Sequence, residues 1–206
     1  MDGVLIDSEP IWNDVRVELA TACGKPWTEA LQRSVMGVST RTWGEVMRDG
    51  LGIPLSAEQV IDEVGRRMIA RYQRHLPLLP GALQAVRLAA GAYPVALASG
   101  SMSVLIDHVL DATGLRPLIG VVVYGDTVAR GKPAPDIYLE AARRLGVAPA
   151  AGLGIEDSAN GLRALRAAGM KAVAVPSPGY PLADVAADLR LSSLEEFSLD
   201  LVRGLG

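Results

Sequence analysis

The chain has 206 residues, half of them apolar and 21% charged, with a formal net charge of −3. That length and apolar content suffice for one medium domain, or a core domain with a small insertion, around a sizeable buried core, and the composition excludes intrinsic disorder. The excess of Lys and Arg that a nucleic-acid groove brings is missing, the single cysteine (Cys23) excludes an internal disulfide or a Cys-ligated cluster, and the two histidines (His75 and His108) are too few for a His-based metal site.

The N-terminus carries Asp2, Asp7 and Glu9 where a signal peptide would be basic. No apolar run approaches the about 20 residues that a membrane span needs. A cytoplasmic protein with no nucleic-acid or membrane partner is expected, working as a monomer or weak dimer. A mildly acidic chain can still bind an anion, because a few local cations and helix N-termini suffice.

From residue 10 to about 75 the pattern is helical. Pro10 suits a first helical turn, and Trp12, Val15, Leu19 and Ala22 follow at helix spacing up to Gly24. Trp12 sits on that apolar stripe, which fits helix packing. Ser39 is placed to cap a helix holding Trp43 and Met47. Ser56 and Gln59 form a capping-box pattern that opens a long helix with Val60, Ile61, Val64, Met68 and Tyr72 on one face.

After Leu78-Leu79-Pro80-Gly81 the texture changes. Strands are expected at residues 94–99, 119–124, 152–155 and 172–175, and helices at about 103–113, 135–145 and 158–168, with Gly146 and Gly169 as stops. Ser193 and Glu196 form a capping box for a last helix. Short β-rich runs alternating with helices predict an α/β fold: a parallel sheet with helices on both faces. In such sheets ligands bind at the carboxyl ends of the strands.

Four loops there carry polar residues. They are Asp2-Gly3-Val4-Leu5-Ile6-Asp7-Ser8-Glu9, Ser99-Gly100-Ser101, Gly131-Lys132-Pro133-Ala134-Pro135-Asp136 and Gly154-Ile155-Glu156-Asp157-Ser158. Taken singly, a Glu-Asp pair is most often a helix cap, Ser-Gly-Ser a turn and Gly-Lys-Pro a surface loop. Together they are the inventory of phosphoryl transfer, where catalysis is mostly positioning and charge stabilisation. Glu156 and Asp157 suit Mg²⁺, which takes one or two carboxylates plus waters and phosphate oxygens. Ser99 and the backbone N–H groups from Gly100 on suit phosphate oxygens, and Lys132 suits their charge. Asp2 suits protonation of a leaving alkoxide and then activation of water.

These four segments resemble, in order, the four motifs of the haloacid dehalogenase (HAD) family, in its branch with a helical cap inserted after the first motif. The resemblance spans nearly the whole chain. It implies a three-layer Rossmann-like core from residues 1–10 plus 78–206 and a cap over residues 11–77, opening around Asp7-Ser8 and Leu79-Pro80-Gly81. It implies Asp2 as acid/base, Ser99, Gly100 and Lys132 at phosphate, and Glu156, Asp157 and the Asp2 carbonyl at Mg²⁺. The family's first motif reads Asp-x-Asp-Gly, and its first Asp forms an aspartyl-phosphate. Met1 stands at x, so the nucleophile belongs one position before Met1. The strand leading to it is central in this fold, and without it two strand edges are exposed. The expectation is that the natural polypeptide starts several residues earlier, rather than that the chain is a truncated, inactive form.

Ser8-Glu9-Pro10-Ile11-Trp12, Leu78-Leu79-Pro80-Gly81, Val175-Pro176-Ser177-Pro178, Ala183-Asp184 and Leu191-Ser192-Ser193-Leu194 resemble the sugar-phosphate phosphatases of the 2-deoxyglucose-6-phosphatase type. The implied activity is hydrolysis of a small phosphorylated metabolite, a sugar phosphate. A β-phosphoglucomutase-like phosphotransferase is the alternative. The mutase has a His where this chain has Trp12, and residues 1–74 hold no His, which favours the hydrolase. A non-catalytic sugar-phosphate-binding protein would have no use for Asp2. A dehalogenase would need neither Asp2 nor the Mg²⁺ carboxylates. In the loop from Gly37 to Arg41, relatives place a substrate-facing Arg or Thr, which makes Arg41 a candidate substrate contact; Lys25 and Arg74 are remoter ones.

Overall fold

The structure, a computed structural model, describes residues 1–35, 40–179, 182 and 185–205. Four helices follow the first turn: α1 (Glu9–Ala22), α2 (Glu29–Val35), α3 (Thr40–Leu51) and α4 (Ala57–Arg74). Helix α1 has Pro10 in its first turn, buries Trp12, Val15 and Leu19, and stops at Cys23, before Gly24 at φ 67°. Trp12 meets Trp43 of α3 edge-on, centroids 5.9 Å apart at 72°, a geometry that adds to apolar burial. The capping box of α4 is complete: Gln59 N–H donates to Ser56 Oγ at 3.2 Å and Ser56 N–H donates to Gln59 Oε1 at 2.8 Å. Val60, Val64, Met68 and Tyr72, one turn apart, form its buried stripe. Ser39, Gly37 and the Ala183-Asp184 pair lie outside the described residues.

Beyond residue 80 the elements are α5 (Ala82–Ala90), β1 (Ala96–Ser99), α6 (Ser103–Ala112), β2 (Val121–Tyr124), α7 (Asp136–Leu145), β3 (Leu153–Glu156), α8 (Ala159–Ala167), β4 (Lys171–Ala174), β5 (Leu189–Arg190) and α9 (Leu199–Arg203). All described strand pairs are parallel, as the alternating pattern predicts. The sheet is in two pieces, β1-β2 and β3-β4-β5. No described strand joins β1 to β3, so each keeps an unpaired edge. Ser99, the last residue of β1, stands opposite Tyr124, and Glu156, the last residue of β3, stands opposite Ala174, so each is delivered at the carboxyl end of its own parallel pair.

Several elements depart from the sequence reading. Helix α2 lies in the stretch read as helical, though not singled out there, and α5 and the two-residue β5 were not expected. The Ser193–Glu196 pair does not open a long helix: Ser193 Oγ accepts the Glu195 N–H at 3.2 Å, and only a 3₁₀ turn over Leu194–Glu196 forms. The chain turns extended at Phe197, where it buries that ring, and α9 begins after Ser198, whose Oγ accepts the Leu201 N–H at 3.3 Å.

The first eight residues make a tight turn rather than a strand. The Met1 carbonyl accepts N–H groups of Val4, Leu5 and Ile6 at 3.3, 2.7 and 3.3 Å, and Gly3 N–H donates to the Ile6 carbonyl at 2.8 Å. Ile6, fully buried, then pairs antiparallel with Leu78. Asp7 N–H donates to the Pro77 carbonyl and Leu79 N–H to the Leu5 carbonyl, each at 2.9 Å. The two connections that carry α1–α4 thus run side by side.

Candidate active site

Glu156 is the hub of the polar cluster at the strand ends. It ends β3 with 4% exposure. Its Oε1 accepts hydrogen bonds from the Lys132 ammonium and the Tyr138 phenol, and its Oε2 accepts the Ser158 hydroxyl at 3.1 Å. The Lys132 nitrogen also lies 5.1 Å from the centre of the Tyr138 ring. Burial alone would raise the Glu156 carboxyl; the Lys132 charge and the hydrogen bonds from Lys132 and Tyr138 outweigh it and hold it below the usual range. Burial and then the Glu156 charge push the Tyr138 phenol well up, so its proton stays in place to donate. Gly161 makes room for this hub, since a Cβ there would collide with the Glu156 carboxylate.

Asp157 faces the other way, against the N-terminal turn. Gly3 has φ +66°, and a Cβ built on it would collide with the Asp157 carboxylate. Only glycine meets both demands. Burial first, and the neighbouring Glu156 charge second, push the Asp157 carboxyl up to about 6. Beside it, the buried Ser8 hydroxyl donates to Asp2 Oδ1 at 2.7 Å. The structure therefore brings Asp2, Lys132, Glu156 and Asp157 together from three loops, as the sequence suggests.

Ser99 is 4% exposed, and its Oγ accepts the Ser101 N–H at 3.2 Å, which curls the loop after β1. Apart from its chain neighbours, no atom lies within 4 Å of where a Gly100 Cβ would be, so that side of its backbone is open. Ser101 Oγ and Asp7 Oδ1 are buried and have no partner among the described residues. A buried polar atom left unpaired costs about 1–3 kcal/mol.

Arg41 is not part of this group. Its side chain is 81% exposed and pairs with Glu45 across one turn of α3 at 3.5 Å, which is the geometry of a solvated surface arginine. Two residues of the cluster were not expected as functional, Ser8 and Tyr138.

The donor set fits Mg²⁺. Among the described residues no three His, Cys, Asp or Glu side chains make a complete cage, and Mg²⁺ requires none, since it keeps waters and shares phosphate oxygens. Glu156 has both oxygens engaged by side-chain donors. Asp157 has no described side-chain donor and is crowded by a second carboxylate, a strain that a divalent cation relieves.

A family model described as haloacid dehalogenase-like hydrolase matches residues 1–169. The chain belongs to the haloacid dehalogenase-like hydrolases. Among HAD-like proteins, hexitol phosphatase B of Escherichia coli K12 is 31% identical over 217 residues, covering 96% of this chain and 91% of that protein. The phosphorylated carbohydrates phosphatase of Thermotoga maritima is 33% identical over 176 residues, covering 84% and 81%. The crystal structure of CbbY from Rhodobacter sphaeroides in complex with phosphate superimposes with a TM-score of 0.82 at 27% identity, covering 95% of this chain and 92% of that one. The fold is the HAD-like Rossmann-type α/β fold, and Mg²⁺ dependence is general in the family. No helix among the described residues is long and apolar enough to cross a membrane.

Proposed function

We propose that the protein is a Mg²⁺-dependent phosphomonoesterase that hydrolyses a small phosphorylated carbohydrate. The observation that carries this reading is the packing of the Asp157 carboxylate against the Asp2-Gly3 turn, next to the Lys132–Glu156 pair. On this reading residues 1–10 and 78–206 are the catalytic core and residues 11–77 a cap over it. Asp157 and the Asp2 carbonyl, with Glu156 behind them, hold Mg²⁺, which when bound offsets charge on the phosphate oxygens. Ser99 Oγ and the Gly100 backbone orient the phosphate. Lys132, held by Glu156, meets a further phosphate oxygen. Asp2 gives a proton to the leaving alkoxide and takes one from the attacking water, with Ser8 fixing the orientation of its carboxylate. In the family's Asp-x-Asp-Gly motif the nucleophile stands two positions before the residue that Asp2 matches.

Phosphate release from a panel of sugar and polyol phosphates, with Mg²⁺ and with EDTA, tests the reading. The protein is assayed with any residues that naturally precede Met1. Mg²⁺-dependent release from at least one ester is expected. Binding of these esters without release in Mg²⁺ would replace the enzyme by a sugar-phosphate-binding protein.

A further inference from the structure

Strands β1 and β2 end on the paired residues Ser99 and Tyr124, and the chain continues from them as Gly100 and Gly125. The two glycines stay in backbone contact. A Cβ built on Gly125 would lie 2.7 Å from the Gly100 Cα, 3.3 Å from the Ser99 carbonyl oxygen and 3.5 Å from the Gly100 carbonyl carbon. Carbon atoms in contact settle at about 3.5–4.0 Å, so a side chain at 125 would force the two backbones roughly 1 Å apart. Gly125 is not among the glycines with positive φ. The close approach alone is what requires glycine here.

The two sides of this contact are not equally free to yield. On the β2 side, the Tyr124 phenol donates to Asp107 Oδ1 of α6 at 2.8 Å, and Arg116 donates to the same oxygen at 3.0 Å. The Tyr124 carbonyl accepts the Thr127 hydroxyl at 2.7 Å, which closes the 3₁₀ turn over Gly125–Thr127. On the β1 side, the flank of Gly100 that a Cβ would occupy is open, and the loop is shaped by the hydrogen bond from Ser101 N–H to Ser99 Oγ at 3.2 Å. A clash is therefore relieved by moving the Ser99–Gly100 loop. The connection that starts at Gly125 runs on to Lys132, whose ammonium is held by the buried Glu156. It touches the Ser99–Gly100 backbone at one end and carries Lys132 at the other.

We infer that Gly125 is a positioning residue for the phosphate group: its bare backbone sets where Ser99 Oγ and the Gly100 N–H stand relative to Lys132. The inference rests on the phosphatase reading above, in which these groups meet the phosphate, and adds the residue that spaces them.

Gly125→Ala, with Gly120→Ala as control, tests it on the chain with any residues that naturally precede Met1. Gly120 lies just before β2, and a Cβ there meets atoms only at 3.7 and 3.9 Å, which is ordinary contact. The substrates are p-nitrophenyl phosphate and the sugar phosphate that the wild type cleaves fastest, and inorganic phosphate is the inhibitor. A misplacement of about 1 Å can cost about 10²-fold in a site that works by positioning. Gly125→Ala should therefore lower kcat/KM on both substrates by roughly 10²-fold and weaken inhibition by phosphate by roughly tenfold or more. Stabilisation by Mg²⁺ in thermal melts should stay as in wild type, and Gly120→Ala should match wild type throughout. A variant that only folds less well would melt earlier without a change in the phosphate inhibition constant. An unchanged inhibition constant in Gly125→Ala, or a loss that Gly120→Ala shares, would overturn the inference and leave the phosphatase reading standing. A wild type that hydrolyses neither ester would overturn both. Where Gly125→Ala does not fold, amide NMR of the wild type decides: inorganic phosphate should shift the Gly100 and Gly125 N–H resonances together, with one apparent Kd. A Gly125 resonance that stays in place while that of Gly100 moves would overturn the inference.

Discussion

Lys132 and Tyr138 meet at one atom, Oε1 of Glu156, although Tyr138 and Glu156 are 18 residues apart in the chain and Lys132 and Glu156 are 24 apart. The phenol and the ammonium together make a buried carboxylate tolerable. Tyr138→Phe removes one donor and keeps the ring under Lys132. It should destabilise the fold by about 1.5–3 kcal/mol, the range for a hydrogen bond to a charged group. Urea denaturation of the variant against wild type measures it; an unchanged midpoint would mean that the phenol contributes nothing to holding Glu156.

Asp157→Asn should abolish Mg²⁺-dependent phosphate release while the fold persists. The neutral amide keeps the size of the side chain against Gly3 and loses the charge that a hard cation requires. Thermal melts with and without Mg²⁺ give a second readout. The wild type should gain stability with the ion, as any ligand of the native state confers, and the variant should not. Full activity in Asp157→Asn would remove this residue from the metal site.

Asp2→Asn should slow turnover by roughly 10²-fold or more, the scale of general acid–base catalysis. Ser8→Ala, which removes the 2.7 Å hydrogen bond to Asp2, should have a smaller effect of the same sign on kcat, with little change in KM. A Ser8→Ala loss larger than that of Asp2→Asn would mean that Ser8 acts otherwise than through Asp2.

How much of this was legible in the sequence follows from where each interaction partner lies. Asp2, Ser99, Lys132, Glu156 and Asp157 could be found because strand-end loops concentrate chemistry and the residue types at those ends are diagnostic together. The Ser56–Gln59 box and the α4 stripe were readable because capping and helical periodicity act over three or four residues. Tyr138 and Ser8 were hidden because nothing local separates a phenol that holds a distant carboxylate from one that fills a core. Helix α5 was missed because Gly81, at φ 75°, precedes it without any side-chain cap. The Ser193–Glu196 pattern misled because burial of Phe197 overrides the local helix signal after one turn. Arg41 was suggested by a resemblance in residues 37–41, and in the structure it lies in the first turn of α3, paired with Glu45 and exposed.

Glu63 supplies a pH-dependent increment on the outer face of α4. It accepts Arg66 at 2.9 and 2.8 Å and Arg67 at 2.7 Å. The Arg66 hydrogen bonds, opposed by partial burial and aided by Arg67, bring its carboxyl down to about 2 from 4.5. The folded value lies below the unfolded one, so the stabilisation is present above pH 4.5 and is lost as pH falls through about 2. Solvent screens both arginines, and the increment should stay under about 1 kcal/mol. Denaturation of Glu63→Gln should show that deficit at pH 7, with the two proteins converging as pH falls below 4.5. A gap that persists near pH 2 would assign the loss to packing.

Ile6 pairs with Leu78, and Asp7 N–H donates to the Pro77 carbonyl, so the helices between them form an excursion whose two ends already touch. Lengthening such an excursion is cheap, about 0.6 kcal/mol for each doubling, and replacing it leaves the path of the remaining chain unchanged. On the proposed reading, in which residues 11–77 are a cap over the core, these helices are in this sense a cassette. If that reading holds, grafting a relative's helices between residues 7 and 78 should change which ester is accepted without rebuilding the site that cleaves it.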